Sequence, residues 1–277
     1  MTEPANADQI TYWNAAAGET WAALQDRMDH QLEPLGLRAM QALEPKPGER
    51  FLDIGCGAGQ TTLALARAGQ PGGSAVGIDI SRPLLQVARD RTPAGLDATF
   101  VETDAQTYAF APASFDAAFS RFGVMFFSDP AAAFANIRSA LKPGGRLAFV
   151  CWRAPAENPF MTLPMAAVAS LATPPAPPTP GAPGPFAFAD PEHIRAILDA
   201  AGFKGVALSQ HDQKIGSGDL EQSLSVALRV GPLGAVLREH PDQRDKVIDA
   251  VRAALSVHDG PDGVRLGSAS WIVTAQN

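Results

Sequence analysis

A run of thirteen residues, Arg50 to Thr62, constrains this chain more than any other. Phe51, Leu52 and Ile54 form a short apolar run that predicts a buried strand. Three glycines at alternate positions, Gly55, Gly57 and Gly59, follow it. Leu63, Leu65 and Ala66 then restart the apolar pattern at helical spacing. Strand, glycine turn and helix in that order predict a nucleotide-type site at the carboxyl edge of a parallel sheet. Glycine suits such a turn because the backbone takes unusual angles there, and because a side chain would hold a ligand off the main chain.

The details separate two ligands. A dinucleotide fingerprint places its third glycine three positions after the second, and that position holds Gln60. Asp53 also stands two residues before the first glycine, where a carboxylate repels a pyrophosphate and attracts an ammonium group. S-adenosylmethionine carries an ammonium group, and its carboxylate suits the amides of the helix start at Gln60 and Thr61. The pattern Asp53-x-Gly55-x-Gly57-x-Gly59 resembles motif I of the class I S-adenosylmethionine-dependent methyltransferases.

Two further strands end in acids. Ala75 to Ser81 predicts a strand carrying Asp79, about twenty residues past the glycine turn, where a carboxylate meets ribose hydroxyls. Ile80 follows it, and Ser81 with Pro83 predicts the N-cap of a helix through Arg91. Ala98 to Ala105 predicts the next strand. Its Asp104, with Ala105, matches the family position that reads the adenine edge.

Phe115 to Ser120 predicts a fourth strand with a loop from Arg121 to Phe127, and Asp129-Pro130 opens the next helix. Amino-directed DNA methyltransferases carry an Asp/Asn-Pro-Pro-aromatic tetrad at this point, whereas this chain has Ser120-Arg121-Phe122-Gly123. Leu141 to Arg146, with Pro143-Gly144-Gly145 as its turn, predicts entry into a fifth strand, Leu147 to Trp152. The first 150 residues resemble most of all the ubiquinone/menaquinone-biosynthesis C-methyltransferases, a small-molecule subgroup.

That resemblance implies an α/β, Rossmann-like sheet of seven strands, mostly parallel with the last strand antiparallel. It divides the chain into a helical N-terminal cap (1–45), the core (46–152), a proline-rich lid (153–190) and a completing segment (191–277). In the cap, Ile10, Trp13, Ala17, Trp21 and Leu24 recur at helical spacing, and Pro34 predicts a break. Tyr12, Trp13 and Trp21 either pack the cap onto the sheet or cover the sulfonium with their faces. Met161 to Leu171 predicts a short apolar helix. Thr173 to Pro185 is crowded with proline and glycine, as a surface connector or a lid over the acceptor. Asp190 to Ala201 predicts a helix closed by Gly202, and Phe203 to Gln210 a sixth strand. A helical insertion over 216–260, patterned at Leu220 to Leu237 and Arg244 to Val257, precedes the last strand, Ala269 to Ala275.

Composition narrows the partners. The formal charge is −7 with a pI near 5.2, and no Lys/Arg cluster stands out, which argues against nucleic acid. No apolar run approaches the roughly 20 residues a membrane span needs. The polar start, Met1 to Gln9, does not read as a signal peptide. The two cysteines, Cys56 and Cys151, suit a reducing, cytoplasmic setting. The oligomeric state stays open, a homodimer being one alternative.

The implied reaction is in-line methyl transfer to a small, partly apolar acceptor, with S-adenosylhomocysteine as product. It needs alignment and exclusion of water first, and a base only for a weak nucleophile. The cofactor set implied is Tyr12, Trp21, Asp53, Gly55, Gly57, Gly59, Gln60, Thr61, Asp79, Ile80, Asp104, Ala105 and Ser120. Trp13, Arg121, Phe122 and Phe160 are the candidates for the acceptor, and Arg121, His30 and His211 for catalysis. His193, His240 and His258 are scattered in polar settings, and no metal-ligand cluster is visible. Arg121, the only charge in an otherwise apolar run from Ala117 to Phe127, either anchors an anionic acceptor or pairs with a cap carboxylate such as Glu19 or Glu33. A cofactor-binding sensor without catalysis, or an NAD(P)-dependent oxidoreductase, are the alternative readings.

Overall fold

The computed structural model describes residues 5–171, 179, 181–239 and 241–277. The stretch Thr173 to Pro185 lies largely outside these residues, and His240 wholly so.

Five parallel strands leave the glycine turn and its neighbours on one edge. They are β1 (Arg50–Ile54), β2 (Ser74–Asp79), β3 (Ala98–Glu102), β4 (Phe115–Arg121) and β5 (Leu141–Trp152). After them come β6 (Lys204–Ile215), the two-residue strands β7 (Asp259–Gly260) and β8 (Gly263–Val264), and β9 (Leu266–Gln276). One seven-stranded sheet has the order β3-β2-β1-β4-β5-β9-β6, with β9 antiparallel to both neighbours. The β7–β8 pair stands apart. The expected mostly parallel sheet with an antiparallel last strand is present.

The cap is α1 (Ala7–Trp13), α2 (Ala16–Ala23) and α3 (Gln25–Leu43). Next come α4 (Gln60–Ala68), α5 (Arg82–Asp90) and α6 (Pro130–Ala140). The rest are α7 (Pro159–Ala167), α8 (Pro191–Ala200), α9 (Leu220–Arg229), α10 (Pro232–Glu239) and α11 (Arg244–Ser256). Helices α3 and α4 cover one face of the sheet, while α6 and α8 cover the other. On that second face Phe134 meets Phe149, Phe188 and Phe203. Both faces being covered explains why β4 and β5 read as nearly unbroken apolar runs.

Several expectations need correcting. Helix α3 runs straight through Pro34. A proline inside a helix removes one backbone donor. Burial of Leu32, Leu35, Ala39 and Leu43 against the sheet offsets that loss. Ser81 occupies the N-cap position of α5 but donates instead to the Trp13 carbonyl, at 2.8 Å. The Pro143-Gly144-Gly145 turn falls within β5, as an irregularity between the Phe115 and Ala117 pairings of β4. Strand β6 runs five residues past Gln210, because β9 pairs with it as far as Ile215. The predicted helix at Met161 starts earlier, at Pro159. Leu220 to Leu237 is two helices, parted at Gly231 with φ +83°. Helices α9–α11 and the end of α7 share a second apolar cluster that includes Val168, Leu224, Val247 and Val251.

Candidate active site

The three motif glycines do different jobs. All have positive φ: 65° at Gly55, 53° at Gly57 and 83° at Gly59. A Cβ on Gly55 would stand 2.7 Å from the Gly123 Cα, and one on Gly59 2.8 Å from Ala88 and Phe100. These two glycines let backbone and helix approach closely. At Gly57 the nearest atom is Leu84 Cδ1 at 3.9 Å, so there the turn stands clear of its surroundings.

Asp53 lies beneath the turn, with none of its surface exposed. Its Oδ2 accepts from the hydroxyls of Thr61 (2.7 Å) and Thr62 (2.6 Å), while Oδ1 is buried without a partner among the described residues. Burial pushes its pKa up to about 6, against the two threonine hydroxyls and Arg121, which favour the charged form. The expected open carboxylate is therefore roofed by the first turn of α4.

The acids of the next two strands stand beside it. Asp79 Oδ2 accepts from the Gly57 amide and Oδ1 from the Ser81 amide, both at 2.8 Å. Burial raises its pKa. Each oxygen keeps a lone pair for a further donor. Asp104 accepts from the Gln106 amide at 2.9 Å and from Asn6 Nδ2 at 2.8 Å. Ala105 is buried, its carbonyl accepting from Asn136 Nδ2 at 2.9 Å.

The cap is tied to the same strand ends. Asn6 Oδ1 accepts from the Ser128 amide at 2.6 Å. Asn14 donates to the Ile80 carbonyl at 2.8 Å and accepts from the Arg82 amide at 3.0 Å. Trp13 meets Tyr12, Trp21 and Phe126 edge-on, with ring centroids 5.3–5.7 Å apart. Tyr12 is the outermost of the four, 53% exposed.

At the end of β4 the side chains divide. Ser120 is fully buried, donating to the Ile54 carbonyl at 2.8 Å and accepting from the Gly123 amide at 3.2 Å. It ties β4 to β1. Arg121 donates to Asp29 Oδ1 at 3.2 Å and to the Gln60 side chain. Its cap partner is thus Asp29, where the sequence suggested Glu19 or Glu33. Arg91 donates to the same carboxylate at 2.5 Å. Asp29 and Arg91 went unnoticed in the sequence, because no local pattern joins positions so far apart. Phe122, in the left-handed region at φ +61°, stacks on Trp152 at 3.8 Å and 12°, and Trp152 meets Phe160 at 4.8 Å.

The histidines stay apart from this cluster. His30 is exposed on α3 and His258 is exposed near the β7–β8 pair, while His193 packs on Phe188 on the opposite face. His211 lies inside β6 rather than after it, level with Trp152 through Ser270 of β9. Burial, with Arg38 nearby, lowers its pKa, and its Nε2 is buried without a partner among the described residues. Among the described residues, no three His, Cys, Asp or Glu side chains are grouped to hold a metal, and no helix is long and apolar enough to cross a membrane.

Comparison with known proteins bears on this arrangement. A family model described as a methyltransferase domain matches residues 52–149. The chain is 32% identical over 171 residues to a demethylmenaquinone methyltransferase of Thermus thermophilus, covering 58% of this chain and 77% of that enzyme. It is 41% identical over 109 residues to an uncharacterized 37.1 kDa transposon protein of Streptomyces fradiae, covering 39% of this chain but only 31% of that one. In fold it is similar to the YcgJ protein of Bacillus subtilis, with a TM-score of 0.58 at 18% identity, over 88% of this chain and 98% of the other. The chain belongs to the class I S-adenosylmethionine-dependent methyltransferases, of the type found in quinone biosynthesis. Its cofactor is S-adenosylmethionine, which supplies an electrophilic methyl group. The glycine cradle, clear at Gly57, and the unpartnered Asp53 Oδ1 beneath it fit that cofactor.

Proposed function

We propose that the chain methylates a small, planar, partly apolar acceptor by in-line displacement, with the acceptor lying beside the ends of β4 and β5. The observation that carries this reading is the Phe122–Trp152 stack, extended by Phe160, next to the cofactor edge. Flat aromatic faces select flat acceptors. A relative named for demethylmenaquinone supports a quinone-like molecule.

In this reading the two halves of the edge have separate tasks. Asp79 holds the ribose through its free lone pairs, with Ile80 beside it, and Asp104 with Ala105 lies along the adenine. The glycine turn and the amides at Gln60 and Thr61 receive the amino-acid end. Tyr12 and Trp21 close the cap over it, and Trp13 borders the acceptor. Ser120 acts by holding β4 against β1, which sets the distance between the two sites. Residues 153–171 act as a lid, and the insertion, over 216–239 and 241–260, as a second wall. Alignment and dryness supply most of the rate, and a base is dispensable for an ionised acceptor. The cytoplasm suits its unpaired cysteines.

Release of S-adenosylhomocysteine with phenol, amine and quinone-like acceptors tests the reading. Turnover is expected with the planar members. Asp79→Ala should weaken cofactor binding by about tenfold or more, for the loss of one or two charge-assisted hydrogen bonds. Cofactor binding without turnover on any acceptor would leave a sensor in place of an enzyme.

A further inference from the structure

One carboxylate holds two guanidinium groups against the glycine turn. Asp29 of α3 is 7% exposed. It takes Arg91 on Oδ2 at 2.5 Å, Arg121 on Oδ1 at 3.2 Å and Gln25 Nε2 on Oδ2 at 2.6 Å. Arg91 Nη1 also donates to the Ala58 carbonyl at 3.2 Å, within the turn itself. Arg121 reaches the Gln60 side chain, at the first residue of α4. The two cations thus reach the turn and the helix start, one at Ala58 and the other at Gln60.

Two like charges this close repel, and each loses hydration in a partly closed site. Asp29 cancels one of the two. Asp53 lies within electrostatic reach of Arg121 and offsets part of the other, but guanidinium donors that Asp29, Ala58 and Gln60 do not fill remain. Beneath the same turn, Asp53 Oδ1 is buried and lacks a donor. Spare guanidinium donors and a spare carboxylate acceptor at one turn together match the zwitterionic end of an amino acid.

We infer that Arg91 and Arg121 form a clamp for the carboxylate of the bound cofactor, and that Asp29 is the positioning residue that holds them together. The inference rests on the cofactor reading of the site. It assigns Arg121 to the cofactor and leaves the aromatic stack to the acceptor. Arg suits this task because its planar fork takes a carboxylate bidentately. Asp29 rides on the cap, so the clamp also joins the cap to the cofactor's amino-acid end.

Calorimetric titration with two probes tests it. S-adenosylhomocysteine has the amino-acid end, and 5′-methylthioadenosine has the same nucleoside without it. Arg91→Met and Arg121→Met should each weaken S-adenosylhomocysteine at least tenfold and leave 5′-methylthioadenosine within twofold. Asp29→Asn should narrow the preference for S-adenosylhomocysteine about fivefold, and Asp29→Glu should restore part of it. Retained binding of 5′-methylthioadenosine certifies that each variant is folded. A parallel fall for both probes, or no change for S-adenosylhomocysteine, would overturn the clamp and keep the cofactor reading. If the unaltered protein binds neither probe, both fall together.

Discussion

The two halves of the carboxyl edge are assembled on different length scales. Around β1 to β3, the polar groups come from short stretches at the strand ends. Asp53 meets Thr61 and Thr62, Gly57 meets Asp79, and Asp79 meets Ser81. Around β4 and β5, Phe122 stacks on Trp152, and Trp152 in turn meets Phe160. Backbone geometry shapes the first half, and side-chain packing between distant segments shapes the second. A cofactor with fixed chemistry suits the first construction. In the proposed reading, the acceptor belongs to the second.

The largest effect should come from a glycine of the cofactor half. Gly59→Ala forces φ +83° on a residue with a Cβ and drives that Cβ to 2.8 Å from Ala88 and Phe100. Strain and overpacking together should cost about 2–6 kcal/mol. Gly57→Ala pays only the backbone part, about 1–3 kcal/mol, since nothing lies closer than 3.9 Å. Urea unfolding should rank the two in that order, while cofactor titration of folded Gly57→Ala should show the methyl group intruding on the ligand. Equal destabilisation by both would mean that the turn is not divided into packing glycines and a ligand-facing one.

The next effect belongs to the other half. Phe122→Ala removes a buried ring and its stack on Trp152 while keeping the φ +61° backbone. A loss of about 3–5 kcal/mol is expected from the ring alone. Acceptor kcat/KM should fall at least tenfold with S-adenosylhomocysteine affinity unchanged within twofold. A matching fall in cofactor affinity would erase the division between the halves.

That division also explains what the sequence made legible. Asp53, Gly55, Gly57, Gly59, Asp79 and Asp104 were readable because each stands at a strand end and serves backbone needs that spacing encodes. The parallel strands and the Asp129 and Asp190 caps were readable for the same reason. Asp29 and Arg91 were not, since an ion pair spanning 62 residues leaves no trace in local periodicity. Pro34 misled because tertiary burial outweighed helix propensity. The place of His211 depended on how far β9 would pair with β6, which only the packed sheet determines.

A smaller effect, in stability rather than binding, follows from Asp53. Its ordinary pKa of 3.8 rises to about 6 in the folded protein. Between those values the native state binds more protons than the unfolded chain, so stability falls as pH rises from about 4 to 6. The loss from this group amounts to about 3 kcal/mol once pH passes 6. Asp53→Asn removes it, so the variant should gain on the unaltered protein by about that amount between pH 4 and pH 7.5. Urea unfolding at the two pH values measures the difference. If the gap between the proteins does not change with pH, Asp53 titrates as it does in the unfolded chain, and the threonine hydroxyls with Arg121 fully offset its desolvation.

The smallest effect asks to which half the cap belongs. Asn14 donates to Ile80 and accepts from Arg82, so it fastens the cap to the end of β2, on the cofactor side. Asn14→Ala breaks both bonds, but the freed backbone groups lie near the surface and can turn to water. Global stability should therefore fall by only about 1–2 kcal/mol. Hydrogen exchange is the sharper probe. Amides of α1 and α2 should exchange faster in the variant, and S-adenosylhomocysteine should slow them in the unaltered protein. Those outcomes would make the cap a moving part of the cofactor half, fastened at Ile80 and Asp104. Equal protection with and without ligand would instead make it packing alone, held by Trp13, Trp21 and Phe126, and Asn14 would then be a surface tie with no part in binding.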